Sequence, residues 1–192
     1  MLRKVRPWSI KAFAALMAAT LALLAYLAVL HFNGNFHAVV DGELYRSAQP
    51  SADELATYTA KVGLKSILNL RGASPRSDWY NEEIAESEKL GLIHADFGLS
   101  ASREVTNDEA AELIALMRTL PKPLLIHCKH GSDRTGLLAA LYLAAIKGED
   151  ADQADDQLSI YFGHFSVPYL SAAYPMDESW NRLEVALKFA EN

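Results

Sequence analysis

The chain has 192 residues, 51% of them hydrophobic, a formal net charge of -6 and a single cysteine. That length supports one domain core with an appendage at one end, and a lone cysteine excludes an internal disulfide. Arg3, Lys4, Arg6 and Lys11 fall within the first thirty residues, which hold no acid. Taking those four from the 18 basic residues leaves 14 against 24 acids, or -10 for the remainder, which excludes a general nucleic-acid binder because that needs a basic face.

From Ala12 to Leu30 there is no charge, and only Thr20 and Tyr26 carry polar side-chain groups. As a helix this stretch spans about 28 Å, close to the hydrocarbon thickness of a bilayer. It is longer than the apolar region of a cleaved signal, and no small-x-small site follows it, so an uncleaved anchor is expected, with a cleaved signal as the alternative. The basic residues precede the span and none follows before Glu43, so the positive-inside rule keeps the amino terminus in the cytoplasm. The expected organisation is a basic cytoplasmic tail (1–11), a membrane anchor (12–30), a tether (31–43) containing Asn33-Gly34-Asn35, and a folded domain (44–192). In a bacterium this is a single-pass inner-membrane protein with a periplasmic domain.

Leu44 to Arg46 predicts a short strand. Pro50 to Glu54 starts a helix that runs to Val62 and stops at Gly63. Leu64 to Leu70 predicts a buried strand closed by Arg71-Gly72. A helix from Tyr80 to Leu90 stops at Gly91, and Leu92 to Phe97 forms the next strand. After a loop over 98–106, a helix begins at Asn107-Asp108-Glu109, with Asp108 as its expected cap, and shows apolar spacing at Leu113, Leu116, Met117 and Leu120. Pro121 and Pro123 end it. Leu124-Leu125-Ile126 is wholly apolar, as in a strand buried on both faces of a parallel sheet. A helix over 134–147 follows, then two more near 151–160 and 177–190. Alternating strands and helices imply an α/β fold, with a mostly parallel central sheet flanked by helices.

Between the apolar strand and the helix at Arg134 lies His127-Cys128-Lys129-His130-Gly131-Ser132-Asp133-Arg134-Thr135-Gly136. A loop at a helix amino terminus offers free amides and the positive end of the helix dipole, so it is suited to an anion. A concave run of loop amides adds to this, and Gly131 permits the tight path. The same field favours negative charge on the sulfur of Cys128, whose thiolate is a nucleophile. Arg134 can hold two phosphate oxygens with its planar fork. The plain alternatives are a small buried thiol for Cys128 and a satisfied strand-end histidine for His127.

His-Cys-x-x-Gly-x-x-Arg-Thr-Gly resembles the phosphate loop of the protein-tyrosine and dual-specificity phosphatases. Tyr45 to Pro50 and Leu68-Asn69-Leu70-Arg71 extend the resemblance to the bacterial dual-specificity-like branch, over residues 44–147. The resemblance implies that Cys128 attacks phosphorus to form a phosphocysteine, that Lys129, His130, Gly131, Ser132, Asp133 and Arg134 surround the phosphate, that Thr135 hydrogen-bonds the thiolate, and that His127 supports the loop. It implies no cofactor, and no metal-ligand spacing occurs among the histidines. The family also uses an aspartate as general acid. The loop over 98–106 has none, so Asp133 is ranked first, as in myotubularin- and Sac-type loops, with Glu104 and Asp96 as alternatives.

The resemblance implies a phosphorylated protein as substrate, phosphotyrosine first, with phosphoserine and phosphothreonine beside it. The alternatives are an inositol phosphate or phosphoinositide and, in a different class, a non-catalytic phosphate-binding module. A rhodanese-like sulfurtransferase fits the Arg-Thr-Gly ending poorly. Arg46 and Arg71, at strand ends, are candidate substrate contacts. Tyr161, Phe162, His164, Phe165 and Tyr169 form either a pocket lip or a packing cluster. Nothing in the sequence sets an oligomeric state.

Overall fold

The computed structural model describes residues 7–187. Helix α1 spans Pro7–Phe32 and leads through a tight turn into β1, His37–Val40. Strand β2 (Leu44–Ser47) is followed by α2 (Ala52–Val62), β3 (Ser66–Asn69), α3 (Asp78–Leu90), β4 (Ile93–Asp96), α4 (Asn107–Thr119) and β5 (Leu124–His127). Helix α5 covers Asp133–Tyr142 and continues as a π-helical turn, Leu143–Lys147. Then come α6 (Ala151–Asp155), a 3-10 turn (Ile160–Phe162) and α7 (Tyr174–Ala186).

The five strands are ordered β1-β2-β5-β3-β4, with β2, β5, β3 and β4 parallel and β1 antiparallel at the edge. The expected α/β sheet flanked by helices is therefore present. All four residues of β5 are buried because it lies at the centre of the sheet. Its alternation sends Leu124 and Ile126 to the core shared with α4, α5 and α7, and Leu125 to a second core with Leu55 and Tyr58 of α2. His127 follows Leu125 onto that second side, where α3 lies.

Helix ends follow local chemistry. Ser51 and Glu54 form a reciprocal capping box at the start of α2, and Gly63 ends it at φ +69°. For α4 the cap is Thr106, boxed with Glu109; Asp108 sits one residue inside the first turn and caps nothing. The helix expected over 151–160 starts where expected, at the Asp150 cap, but covers only Ala151–Asp155 before the chain turns into the 3-10 segment.

The stretch expected to be a tether is built into the domain. Val39 and Val40 pack on the main core, Phe36 stacks on Tyr58 at 4.0 Å, and β1 pairs with β2. Asn35, only 3% exposed, donates its backbone N–H to Leu30 O at 3.0 Å, so the turn out of α1 is tied to the helix.

Candidate active site

Parallel strands β2, β3 and β5 end at the same edge of the sheet, and the loop from Cys128 to Ser132 crosses it before α5 begins. Its carbonyls are held from outside. Gln49 N–H donates to Lys129 O at 3.4 Å, Asn35 Nδ2 to His130 O at 3.1 Å, and Arg46 Nη2 to Gly131 O at 2.8 Å and Ser132 O at 3.3 Å. With those oxygens engaged, the Gly131 N–H is turned to Cys128 Sγ at 3.3 Å, the inward-amide arrangement that gathers an anion. Gly131 has φ +71°, and a Cβ there would lie 2.6 Å from Ala48 N, so the loop tolerates no side chain at this position.

Arg134, in the first turn of α5, donates Nη1 to Leu70 O at 3.2 Å and to Leu99 O at 3.0 Å. These two carbonyls, from the end of β3 and the 98–106 loop, aim the guanidinium, while its buried Nε has no protein partner. Thr135 is fully buried, but its hydroxyl makes no hydrogen bond; the contact to the sulfur comes from the Gly131 amide instead. Lys129 and His130 are exposed at the loop rim and Ser132 is buried.

Beneath the loop, His127 is fully buried with Nε2 3.2 Å from Glu83 Oε2, within ion-pair range but poorly aligned for a hydrogen bond. Glu83 also meets His94 Nε2 at 2.8 Å and accepts from Gln49 Nε2. Burial works hardest against its charge, yet attraction to His127 and the contacts with His94 and Gln49 outweigh it and hold the carboxyl at about 2. Gln49 Oε1 in turn accepts from Arg71 Nη1 at 3.0 Å, and the Arg71 guanidinium lies 3.4 Å above the Trp79 ring. Burial first, then Arg134, lower the Arg71 pKa against the attraction of Glu83 and Cys128, which places it within the field of the site.

Arg46 has a different task from the substrate contact its position suggested. It is fully buried, bonded to both loop carbonyls and to Gln157 O and Oε1, with its guanidinium 3.9 Å above the Phe162 ring. Burial brings its pKa down to about 9, against the attraction of Cys128 and Asp133, so it stays cationic at neutral pH and buttresses the loop.

The three candidate acids have separate surroundings. Asp96 is tied at both oxygens, to Asn69 Nδ2 at 2.8 Å and Tyr80 OH at 2.5 Å, a structural junction between β3, β4 and α3. Glu104 is exposed and bonds Arg182 of α7 at 3.2 Å. Asp133 meets His164 Nδ1 at 2.8 Å, and His164 Nε2 reaches Asp177 at 3.1 Å. Burial opposes the Asp133 charge most, but the His164 hydrogen bond and charge, with Ser132 and His130, bring its pKa below the usual aspartate value. Burial likewise opposes charge on His164, and the two aspartates overcome it and raise its pKa. A cavity of about 610 Å³ opens here, lined by Asp133, His130, Ala101, Phe162, Leu27 and Leu30 among others. Of the aromatic cluster, Phe162 packs inward and Tyr161, Phe165 and Tyr169 are exposed. Among the described residues no group of His, Cys, Asp and Glu side chains is arranged to hold a metal ion.

Glu83 and Asp177 carry no motif in the sequence, while Asn35 is legible only as part of a loop signal and His164 only as part of an aromatic cluster. For Glu83 a trace exists in its i, i+4 relation to Ser87 and i-3 relation to Tyr80 on the buried face of α3.

A family described as "Tyrosine phosphatase family" matches residues 32–159. The dual specificity protein phosphatase TpbA of Pseudomonas aeruginosa is 31% identical over 121 residues, which cover 60% of this chain and 49% of TpbA. Inositol diphosphatase DSP2 of Oryza sativa subsp. japonica is 36% identical over 110 residues, covering 53% of this chain and 50% of DSP2. The chain thus spans about half the length of the curated relatives it matches. Among solved structures, P. aeruginosa TpbA in complex with pTyr superposes with a TM-score of 0.60 at 22% identity, over 81% of this chain and 91% of that one, which establishes likeness of fold.

Proposed function

The chain belongs to the tyrosine phosphatase family, and on that premise we propose that it hydrolyses phosphate monoesters through a phosphocysteine, with phosphotyrosine as the leading substrate. The observation that carries the reading is the loop that places Cys128 Sγ under the Gly131 amide and ends at Arg134, whose buried Nε is unpartnered. Sγ attacks phosphorus, the S–P bond forms, and the bond to the leaving oxygen breaks. Arg134 and the loop amides stabilise charge on the transferring oxygens. Water then attacks phosphorus and the S–P bond breaks, releasing phosphate and the thiolate.

The leaving oxygen needs a proton, and the pair Asp133–His164 holds one between an acidic aspartate and a basic histidine. Asp133 lines the cavity, so the proton passes from His164 Nδ1 to the Asp133 carboxylate and on to the leaving oxygen, leaving a neutral imidazole beside a carboxylate. The water that attacks in the second step returns a proton to the pair. Asp96 and Glu104, engaged elsewhere, serve the fold. Apolar α1, with a span over Lys11–Leu30 of mean hydropathy 2.3, is the membrane anchor in this reading, with the domain on the periplasmic side. A signal sequence passes the same length and composition test.

Inositol phosphates are the second reading, favoured by the resemblance to an inositol diphosphatase and by exposed Lys129 and His130 at the rim. Phosphate release from phosphotyrosine peptides and from inositol phosphates, measured side by side, separates the two. Cys128→Ser is expected to abolish turnover and retain binding on whichever is hydrolysed. Full turnover by this variant overturns every cysteine-phosphatase mechanism.

A further inference from the structure

With α1 as an anchor, its packing against the domain fixes where the bilayer lies. Helix α1 does not hold the domain at arm's length. Leu23, Tyr26, Leu27 and Leu30 form a half-buried stripe at helical spacing, and the Tyr26 hydroxyl donates to Tyr161 O at 2.5 Å. A Cβ on Gly163 would lie 3.3 Å from Leu30 Cδ1 and 3.9 Å from Leu27 Cδ2, so that glycine lets helix and turn come together. Asn35 locks the junction, accepting no slack: its backbone bonds Leu30, and its side chain bonds His130 O and Phe162 O.

Leu23 to Leu30 spans about 10 Å of helix axis. If the apolar helix is in a bilayer, its last two turns sit there together with whatever is packed on them. What is packed on them is the segment 160–170. Outside α1, the described residues include eight large hydrophobic side chains that are exposed, and six belong to that segment: Ile160, Tyr161, Phe165, Val167, Tyr169 and Leu170. From Gln157 to Met176 the chain has no Asp, Glu, Lys or Arg, although the region beyond residue 30 is strongly acidic. Tyrosines bordering such a segment suit the depth of lipid headgroups.

We propose that residues 160–170 form a membrane-resting lip, inserted at the interface beside the end of α1, so that the cavity next to the phosphate loop opens at the bilayer surface. The occupant is the lipid interface. Continuity with the exposed apolar side of α1, where Leu24, Val29 and Phe32 lie at the same level, favours lipid over a protein partner. The consequence for the proposed phosphatase is that its substrate carries its phosphate within reach of the membrane. The inference rests on α1 being an anchor and is independent of which phosphate ester is cleaved.

The single cysteine makes a direct test available. In the full chain carrying Cys128→Ser, spin labels are placed at Leu170→Cys, at Leu21→Cys on the anchor, and at Lys65→Cys at the opposite end of the parallel strands. The proteins are reconstituted in phosphatidylethanolamine–phosphatidylglycerol nanodiscs, and relaxation by oxygen and by a water-soluble nickel chelate is compared. The expected result is a high oxygen-to-nickel ratio at positions 21 and 170 and a low one at position 65. A low ratio at 170 with a high one at 21 overturns the lip and leaves the anchor standing. A label at 170 shielded from both reagents reports a protein contact and also overturns it. A low ratio at 21 removes the anchor itself.

Discussion

The phosphate loop has two neighbours of opposite character. On the strand side, His127, Glu83, Gln49 and the ends of β3 and β5 are enclosed within the sheet and α3. On the other side, Asp133, His164 and Asp177 join α5, the 160–170 segment and α7, next to exposed apolar residues and the end of α1. Both are histidine–carboxylate arrangements, yet their charges behave differently. Glu83 is held at about 2, so the ion stays fixed across the neutral range, whereas at His164 burial is outweighed by the two aspartates, which raise the pKa and favour a proton on the ring. A buried, permanently ionised contact fixes geometry; a pair that holds a proton beside a cavity can take part in proton transfer.

The strongest way to break this contrast is Glu83→Gln. Removing a buried carboxylate that serves His127, His94 and Gln49 is expected to cost about 3 kcal/mol of folding stability at neutral pH. Because the folded pKa lies below the ordinary value of 4.5, the contribution is complete above that value and is lost as pH falls toward about 2. Urea unfolding of the detergent-solubilised chain should show wild type and variant far apart at pH 7 and converging in acid. Equal separation at pH 7 and pH 3 would remove the fixed-ion reading.

His164→Asn tests the other side. For an alkyl phosphate, which needs a proton on its leaving oxygen, turnover is expected to fall about a hundredfold. For nitrophenyl phosphate, a good leaving group, the fall should be far smaller. His164 has its pKa raised, so its proton is present below the ordinary value of 6.5 and is lost as pH rises through the higher folded value. The alkaline limb of the wild-type profile should therefore flatten in the variant. Asp133→Asn should reproduce the leaving-group pattern; equal slowing of both esters would assign Asp133 and His164 to architecture alone.

The contrast also explains what could be read from sequence. Residues 127–136 are contiguous and chemically unusual, so strand, loop and helix were legible together, as was the helix stop at Gly91. The box at Thr106 and Glu109 was equally local, and the neighbouring Asp108 masked it. Glu83 was hidden because α3 carries acids at 82, 83, 86 and 88, and only the packed sheet decides that 83 and 86 turn inward while 82 and 88 face water. Residues 31–43 read as a tether because β1 has four residues and gains its stability from pairing with β2 rather than from its own pattern. His164 meets Asp133 from 31 positions away, in a segment without helical or strand periodicity, and Asp177 of α7 reaches the site only through His164.

The smallest expected effect is the sharpest control on the whole assignment. Glu104 lies in the loop where the resemblance placed a general acid, yet its carboxylate is 48% exposed and bonded to Arg182, itself 37% exposed. An exposed pair of this kind contributes little, because water screens the charges and two long side chains must be held in place. Glu104→Gln should leave turnover on alkyl and nitrophenyl phosphates within about twofold of wild type and stability within about 0.5 kcal/mol. If it instead slowed the alkyl ester selectively, the proton would come from the 98–106 loop. Arg182 would then be the residue that positions the acid, and the Asp133–His164 pair would join Glu83 among the fixed contacts.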